Sequence, residues 1–373
     1  MSSSTKEWRG SPASIAESPE EIAASPEAIA AVDALFASIG LEHGRRATRT
    51  GTWKDGERIR LNRTSKSAVK SATSTKKPRR AAGLIRPATW EAYPWLRAGF
   101  STREGGASTI YGNPGDLNLG WNVNDPAETV ASNRERFLEA VTDSHPGQLV
   151  AVRQFHSPLI RIVGANTGPL ITPEGRPVLR GDALLTDRPN QFLAILTADC
   201  VPVLVADTRR RVVAAFHAGW RGTLARIVER GIGTMRLFGS RPKDLIAAIG
   251  PAIGACCYSV GEEVRFDFES QFAYAPSLFS EVYDSDPIKT KYPLLFLTAR
   301  APGHSNIGPQ IHLDLIEANR RQLLDAGVSP SKISAVGECT VCTRLPNGQR
   351  RYFSHRDEHG YTGRMLSVIG VAN

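Results

Sequence analysis

The sequence predicts a layered α/β domain behind a largely flexible N-terminal extension, and three observations support this. From about residue 84 onward, short apolar runs alternate with segments of helical period, and glycine-bearing loops separate them. Gly and Pro together number 57 of 373 residues and apolar residues make up 41%, a balance that fits a loop-rich globular chain rather than a fibrous or coiled one. The charge is unevenly spread. Residues 1–87 hold 16 Lys and Arg against 9 Asp and Glu, whereas the remaining 286 hold 30 against 28. The formal charge of +9 therefore describes the extension and says little about the larger domain.

Taken in order, SPEEIAASPEAIAAVDALFASIG reads as one or two short helices, with Ser18 and Ser25 as caps before Pro19 and Pro26. The stretch from Gly44 to Gly83 is polar and poor in large apolar side chains, as a basic linker would be. An anionic partner for this segment and a plain solvated tail both fit its charge. The domains expected are therefore an extension over 1–84 and a catalytic domain over 85–373.

Within that domain, LRAGFSTREGG reads as a strand entering a glycine loop. Ala127 to Val141 has helical spacing through Val130, Phe137, Leu138 and Val141. LVAVRQFHS returns to strand character with His156 at its end. ALLTDRPNQFLAILTADCVPVLVADTRRRVVAAFHAGWRG is the densest strand region. Helices are expected at Thr223 to Met235, from near Val260, and at Leu313 to Ala326. KISAVGE and the closing MLSVIG are strand-like.

No apolar stretch reaches the roughly 18 residues of a membrane span. The N-terminus lacks a secretory apolar core, and five cysteines in so long a chain are not a disulfide framework. A cytoplasmic protein is expected, and monomer and homodimer fit equally.

Three residues carry the chemistry. Cys200 follows the apolar run Phe192 to Leu196, His217 follows Val212 to Phe216, and His156 closes the earlier strand-like segment. Separations of 44 and 17 residues are too long for a zinc knuckle and natural for ligands at the ends of different strands. Two imidazoles and a thiolate, with water as fourth ligand, would make an open tetrahedral zinc site. Ordinary core or loop residues, and a hydrolase in which Cys200 attacks with a histidine as base, fit the same three residues.

Around them, Asp199 is placed to orient a histidine, handle a proton or close a turn. Asp182 in RGDALLT fits a substrate contact or a cap. Arg221, beside Gly222 at a helix start, fits a phosphate contact or a loop ion pair. Arg103 in STREGG and His355 with Arg356 in FSHRDEHG stand in surface-like loops, where paired guanidinium groups would suit phosphate. GPAIGACCYSVGEEV could bring backbone amides to an anion, but it lacks a Walker GKS or GKT. Cys256 and Cys257 are adjacent, which disfavours aiming both at one compact site and favours packing or a pocket wall. CTVC has knuckle spacing with no second knuckle after it.

STREGG, NLGWNVND, RQFHS, GDALLT, TADCVPVLVAD, AFHAGWRG, GPAIGACCYSVGEEV, CT and FSHRDEHGYTGRML, in that order, resemble the multicopper polyphenol oxidoreductase, or laccase-domain, family of purine nucleoside phosphorylases. The resemblance spans roughly Ile85 to Ile369 and leaves the extension outside. It implies an α/β/β/α sandwich built from related β-α-β units, with zinc held by His156, Cys200 and His217. It also implies adenosine deamination and phosphorolysis of adenosine, inosine, guanosine and methylthioadenosine. Copper-dependent phenol oxidation fits less well, because a multicopper centre needs a larger histidine set than the eight in the whole chain. Family members often carry glutamate after CCY, where this chain has Ser259; Glu262 and Glu263 follow and are expected to supply a carboxylate near the pocket.

On this reading zinc lowers the pKa of bound water for attack at C6 of adenine, and Asp199 handles the proton. In phosphorolysis, inorganic phosphate attacks C1′ of ribose, with Arg221, Arg356 and Arg103 as candidate phosphate contacts. The partners expected are purine nucleosides and phosphate, with no obligate nucleic acid and no membrane. Two other functions stay open: a cysteine-dependent amide hydrolase of cell-wall precursor editing, and a basic nucleic-acid adaptor using residues 43 to 86.

Overall fold

A computed structural model of the chain describes residues 82–121, 124–165, 167, 170–172, 176–282 and 310–373. The short helices expected near Ser18 and Ser25 lie outside these residues. The elements begin with β1 (Leu84–Ile85), β2 (Leu96–Ser101) and α1 (Ala127–Thr142), followed by β3 (Gln148–Ala151), β4 (Ile160–Ile162) and β5 (Ala183–Thr186). The central run is β6 (Gln191–Thr197), β7 (Val201–Asp207), β8 (Val213–Ala218), α2 (Trp220–Leu224), α3 (Ile227–Met235) and β9 (Leu245–Ile249). Then come β10 (Ser259–Val260), α4 (Glu262–Gln271), β11 (Phe279–Val282), β12 (Gln310–Leu313), α5 (Leu315–Asp325), β13 (Ile333–Ala335) and β14 (Met365–Val371).

Among the described residues the result is a mixed α/β fold with three sheets. A five-stranded sheet runs β1-β2-β14-β6-β3, a six-stranded sheet β13-β9-β7-β8-β5-β4, and a small sheet β10-β12-β11. Alternation along the strands distributes side chains between layers. In the six-stranded sheet, Leu184, Leu204, Ala215 and Ala248 pack into one core with Phe100, Leu193, Ile195 and Ile369 of the five-stranded sheet. Their sequence neighbours Leu185, Val203, Val205 and Phe216 belong to a second core with Val228 and Ile232 of α3, Phe268 of α4 and Leu323 of α5. On the far face of the five-stranded sheet, Phe192, Ala194 and Val368 meet Phe137 and Val141 of α1. Such double burial explains why β6 and β7 read as almost unbroken apolar runs.

Three sequence expectations shift. The helix expected over Thr223 to Met235 is two helices, because Arg226 between them takes φ of 60°. Its guanidinium is held by Glu229 Oε2 at 2.8 Å and the Gln271 carbonyl at 2.9 Å. Leu313 ends β12 and does not start α5; Asp314 is the cap, its Oδ1 accepting from Glu317 N–H at 2.8 Å. Ser259 and Val260 pair with His312 and Ile311, so α4 waits until Glu262. Among the described residues no helix is long and apolar enough to cross a membrane.

Candidate metal centre and its cavity

β6 and β7 belong to different sheets, so the chain between them must cross the domain within three residues, Ala198 to Cys200. That crossing is tight enough to force Asp199 to φ of 90°, a conformation non-glycine residues adopt only when their surroundings impose it. Both carboxylate oxygens of Asp199 are engaged: Oδ1 accepts from Thr340 Oγ1 at 2.6 Å and Oδ2 from Arg356 N–H at 2.7 Å. Cys200 is thereby presented at the rim of both sheets. His217 reaches the same place from β8, where it pairs with Pro202 of β7.

His156 arrives by a less regular route. β3 ends at Ala151, and His156 sits five residues on, in a loop with φ of 63°. Asp182 holds that loop in place. Its Oδ1 accepts from His156 N–H at 2.9 Å, and its Oδ2 accepts from the N–H and the hydroxyl of Ser157, both at 2.7 Å. Consecutive amides converging on one carboxylate form an anion nest, which offsets the unfavourable φ. The same Oδ1 lies 2.8 Å from His217 Nδ1, directing His217 Nε2 toward the cluster. Burial alone would raise the Asp182 carboxyl, but the bonds from His217 and Ser157 pull it down to about 2.

The donor atoms of His156, Cys200 and His217 all lie within 4.8 Å of one another. Cys200 Sγ is 3.8 Å from His156 Nε2, and the two imidazoles meet edge to face with centroids 4.9 Å apart. Burial favours the neutral forms of Cys200 and His217, yet their mutual attraction prevails, aided by His156 and Asp182. The thiol is held below its ordinary value and the imidazole above. A sulfur biased toward thiolate and two imidazoles converging on it make a donor set that suits zinc, whose binding would displace the proton His217 holds. Gly219 completes the fit: a Cβ there would stand 2.9 Å from His156 Cδ2 and 3.0 Å from Cys200 Sγ, so only glycine lets the backbone pass this close.

The cluster lies in the wall of a cavity of about 760 Å³. Asp199, His355 and Arg356 also line it, as do Arg153, Arg176 and Arg364, which the sequence reading did not single out. Nor did it select Tyr258, whose phenol is pushed up to about 12 by burial and by the negative charge of Cys200, leaving a neutral hydroxyl facing the cavity. Arg356 Nη1 donates to Ser259 O at 2.9 Å and Ser259 Oγ at 3.0 Å. Where a carboxylate was expected, Ser259 therefore anchors an arginine. Glu262 and Glu263 are exposed on the first turn of α4 and do not line the cavity.

Three other candidates stand apart from the lining. Asp182 is fully buried, with both oxygens committed to protein donors, so it positions His156 and His217. Arg103, expected in a surface loop, is 2% exposed and bound to Asp116 at 2.8 Å and Glu358 at 2.7 Å. It also donates to the Tyr111 carbonyl, and its bond to Glu358 ties chain segments 255 residues apart. Arg221 is exposed and stacks its guanidinium 4.3 Å over Trp220. No local sequence signal marks the burial of Asp182 and Arg103, since it depends on partners supplied by the folded chain.

Fold and site together define a mixed α/β protein with an open nitrogen and sulfur donor set in a deep cavity. The chain belongs to the family described as multi-copper polyphenol oxidoreductase laccase, which matches residues 97–372 and includes purine nucleoside phosphorylases. It is 34% identical to the purine nucleoside phosphorylase YlmD of Geobacillus stearothermophilus, over 75% of this chain and 95% of that protein. A purine nucleoside phosphorylase of Deinococcus radiodurans is also 34% identical, over 73% of this chain and 88% of its own. Among solved structures, YlmD from Geobacillus stearothermophilus aligns with a TM-score of 0.61 at 32% identity, covering 79% of this chain and 97% of that one. The Bacillus licheniformis hypothetical protein YfiH aligns at 0.63 and 31% identity, covering 78% and 97%.

Proposed function

We propose that this chain is a zinc-containing purine nucleoside phosphorylase with adenosine deaminase activity, acting in the cytoplasm on adenosine, inosine, guanosine and methylthioadenosine. The observation that carries the reading is the meeting of His156, Cys200 and His217 in the wall of an arginine-lined cavity. The names of the relatives support phosphorolysis; deamination and zinc rest on the donor set. The reading assigns catalysis to residues 85–373, with residues 1–84 an extension outside the catalytic domain. It includes an α/β/β/α sandwich of related β-α-β units, for which the parallel pair β9 with β13, with α4 and α5 between its strands, speaks.

In phosphorolysis a phosphate oxygen bonds to C1′ of ribose while the bond from C1′ to the purine nitrogen breaks, and the purine leaves with the electron pair. Arg356, oriented by Ser259, is assigned to phosphate, with His355 beside it. Tyr258, protonated at neutral pH, can donate to the departing base. In deamination, water oxygen bonds at C6 and ammonia leaves. Asp199 lines the cavity, unlike Asp182. Although Thr340 and Arg356 each bond one of its oxygens, it is assigned the proton that moves between that water and the leaving nitrogen, taken on a remaining lone pair. His156, Cys200 and His217 would hold zinc, which supplies Lewis acidity and activates water when bound.

The test is product-resolved mass spectrometry of adenosine reactions, with and without phosphate, on protein whose zinc has been quantified. Inosine, and phosphate-dependent adenine with ribose 1-phosphate, are expected. Absence of every nucleoside product from folded, zinc-replete protein would reject the proposal. It would move the assignment to a cysteine hydrolase, which the lowered Cys200 thiol beside His156 also supports.

A further inference from the structure

The four remaining cysteines form a second cluster that the proposed reaction does not use. Cys256 and Cys257 follow β9, and Cys339 and Cys342 follow β13, the strand paired in parallel with β9. Beyond the strand ends the two segments stay together, Thr340 N–H donating to the Ala252 carbonyl at 3.0 Å. All four sulfurs lie within 4.8 Å of one another, and Cys256 Sγ is 3.6 Å from Cys342 Sγ. A tetrahedral zinc ion with Zn–S bonds of about 2.3 Å requires sulfur separations of about 3.8 Å.

We propose that Cys256, Cys257, Cys339 and Cys342 form a second metal site, a closed tetrathiolate centre that binds zinc and fixes one wall of the cavity. Adjacency of Cys256 and Cys257, which argued against a shared target in an extended chain, is overcome by local geometry. Residues 255–257 form a turn closed by Cys257 N–H and Tyr258 N–H donating to the Gly254 carbonyl at 2.9 and 3.0 Å. Successive side chains in a helical turn diverge by about 100°, not by the half-turn of a strand, so both sulfurs reach one point.

On the other side, CTVC supplies a knuckle. Gly254 N–H, from the turn that carries the first pair, donates to Cys339 Sγ at 3.3 Å and ties the two segments together. Disulfides could pair the four sulfurs two by two, but each would need a two-electron oxidant. Binding of Zn²⁺ by four thiols releases their protons to solvent and requires no oxidant.

The position of the centre accounts for its use. Tyr258 and Ser259 directly follow the first pair, and Ser259 holds Arg356. Thr340 lies inside the second pair and holds Asp199. A metal joining the two segments would lock both supports at once, without entering the cavity.

The experiment uses the full chain, purified reduced and saturated with zinc, with metal counted by mass spectrometry. Two zinc ions per chain are expected, one for each donor group. Cys256→Ser/Cys342→Ser should lose one, and Cys200→Ser should lose the other. Cobalt in Cys200→Ser should give the intense thiolate charge-transfer bands of a four-sulfur site. A wild-type chain holding no more zinc than the double variant would overturn the proposal. Should that variant not fold, wild-type protein decides. Zinc must shield all four cysteines from alkylation and a chelator must expose them; labelling indifferent to zinc, or a Cys256 to Cys342 disulfide at unchanged zinc count, would overturn it.

Discussion

The two sulfur-bearing clusters of this molecule lie on connected segments yet are built on opposite plans. The His156, Cys200 and His217 cluster mixes nitrogen with sulfur, opens on a cavity and is backed by Asp182, a fully buried carboxylate. The second cluster is all sulfur, stands at the surface with Cys256 and Cys342 exposed, and is supported by backbone amides. A three-ligand set leaves a coordination position for chemistry; four thiolates close the shell and leave only cross-linking. Donor number and surroundings, more than the presence of cysteine, separate a reactive centre from a structural one.

The most severe way to break this contrast is Cys200→Ser. It should reduce nucleoside turnover by more than about 100-fold, beyond the usual effect of losing a ligand's supporting partner, and lower zinc content with it. Unchanged occupancy and rates would remove Cys200 from the site. Next in size is Asp182→Asn, which keeps the shape but weakens the hold on His217 and the 155–157 nest. A loss of about 10- to 100-fold in metal affinity or activity is expected, measured by competition with a chelator.

Glycine supplies a matched pair. At Gly219 an added Cβ meets His156 and Cys200 at 2.9 and 3.0 Å, whereas at Gly254 it meets Cys256 Sγ at 3.2 Å and Cys339 Cβ at 3.4 Å. Gly219→Ala should cost about 1–3 kcal/mol of stability by overpacking and impair turnover, while Gly254→Ala should cost less and spare the cavity. Equal effects in denaturant melts would erase the distinction.

Acid titration sharpens the role of Asp182 further. Its carboxyl is depressed from 3.8 to about 2 in the folded chain, so it stabilises the fold above its unfolded value and the contribution fades as pH falls from about 4 through 2. The unfolding free energy of wild type should exceed that of Asp182→Asn by about 1–2 kcal/mol more at pH 6 than at pH 2. A difference independent of pH would assign the effect to packing. The smallest change is expected from Arg221→Ala. An exposed stack on Trp220 is worth within about 0.5 kcal/mol, so phosphorolysis should move by roughly a factor of two, and a selective large loss would return Arg221 to the phosphate site.

Much of the first cluster was legible before any coordinates. Cys200 and His217 each follow an apolar run, and strand ends gather at a sheet edge, so donor chemistry and periodicity sufficed to select them. Asp182 was visible only as a polar residue before such a run. Its four partners are 25 to 35 residues away, and no local pattern encodes that distance. Arg103 read as surface charge because Asp116 and Glu358, which make its burial possible, come from loops that meet only in the fold. The second cluster was set aside on a local rule about adjacent side chains, and a single turn at Gly254 to Cys257 reversed the outcome.

Sequence alone determined the alternation of strands and helices, the apolar faces that become the cores between layers, and the identity of the soft donors. These depend on short-range periodicity and on side-chain chemistry, both written residue by residue. Tertiary structure alone decided that two sheets exchange the chain at Asp199, that Asp182 ties two histidines, and that four distant cysteines converge. Those outcomes depend on which strand ends lie side by side, a matter of long-range packing that no window of neighbouring residues contains.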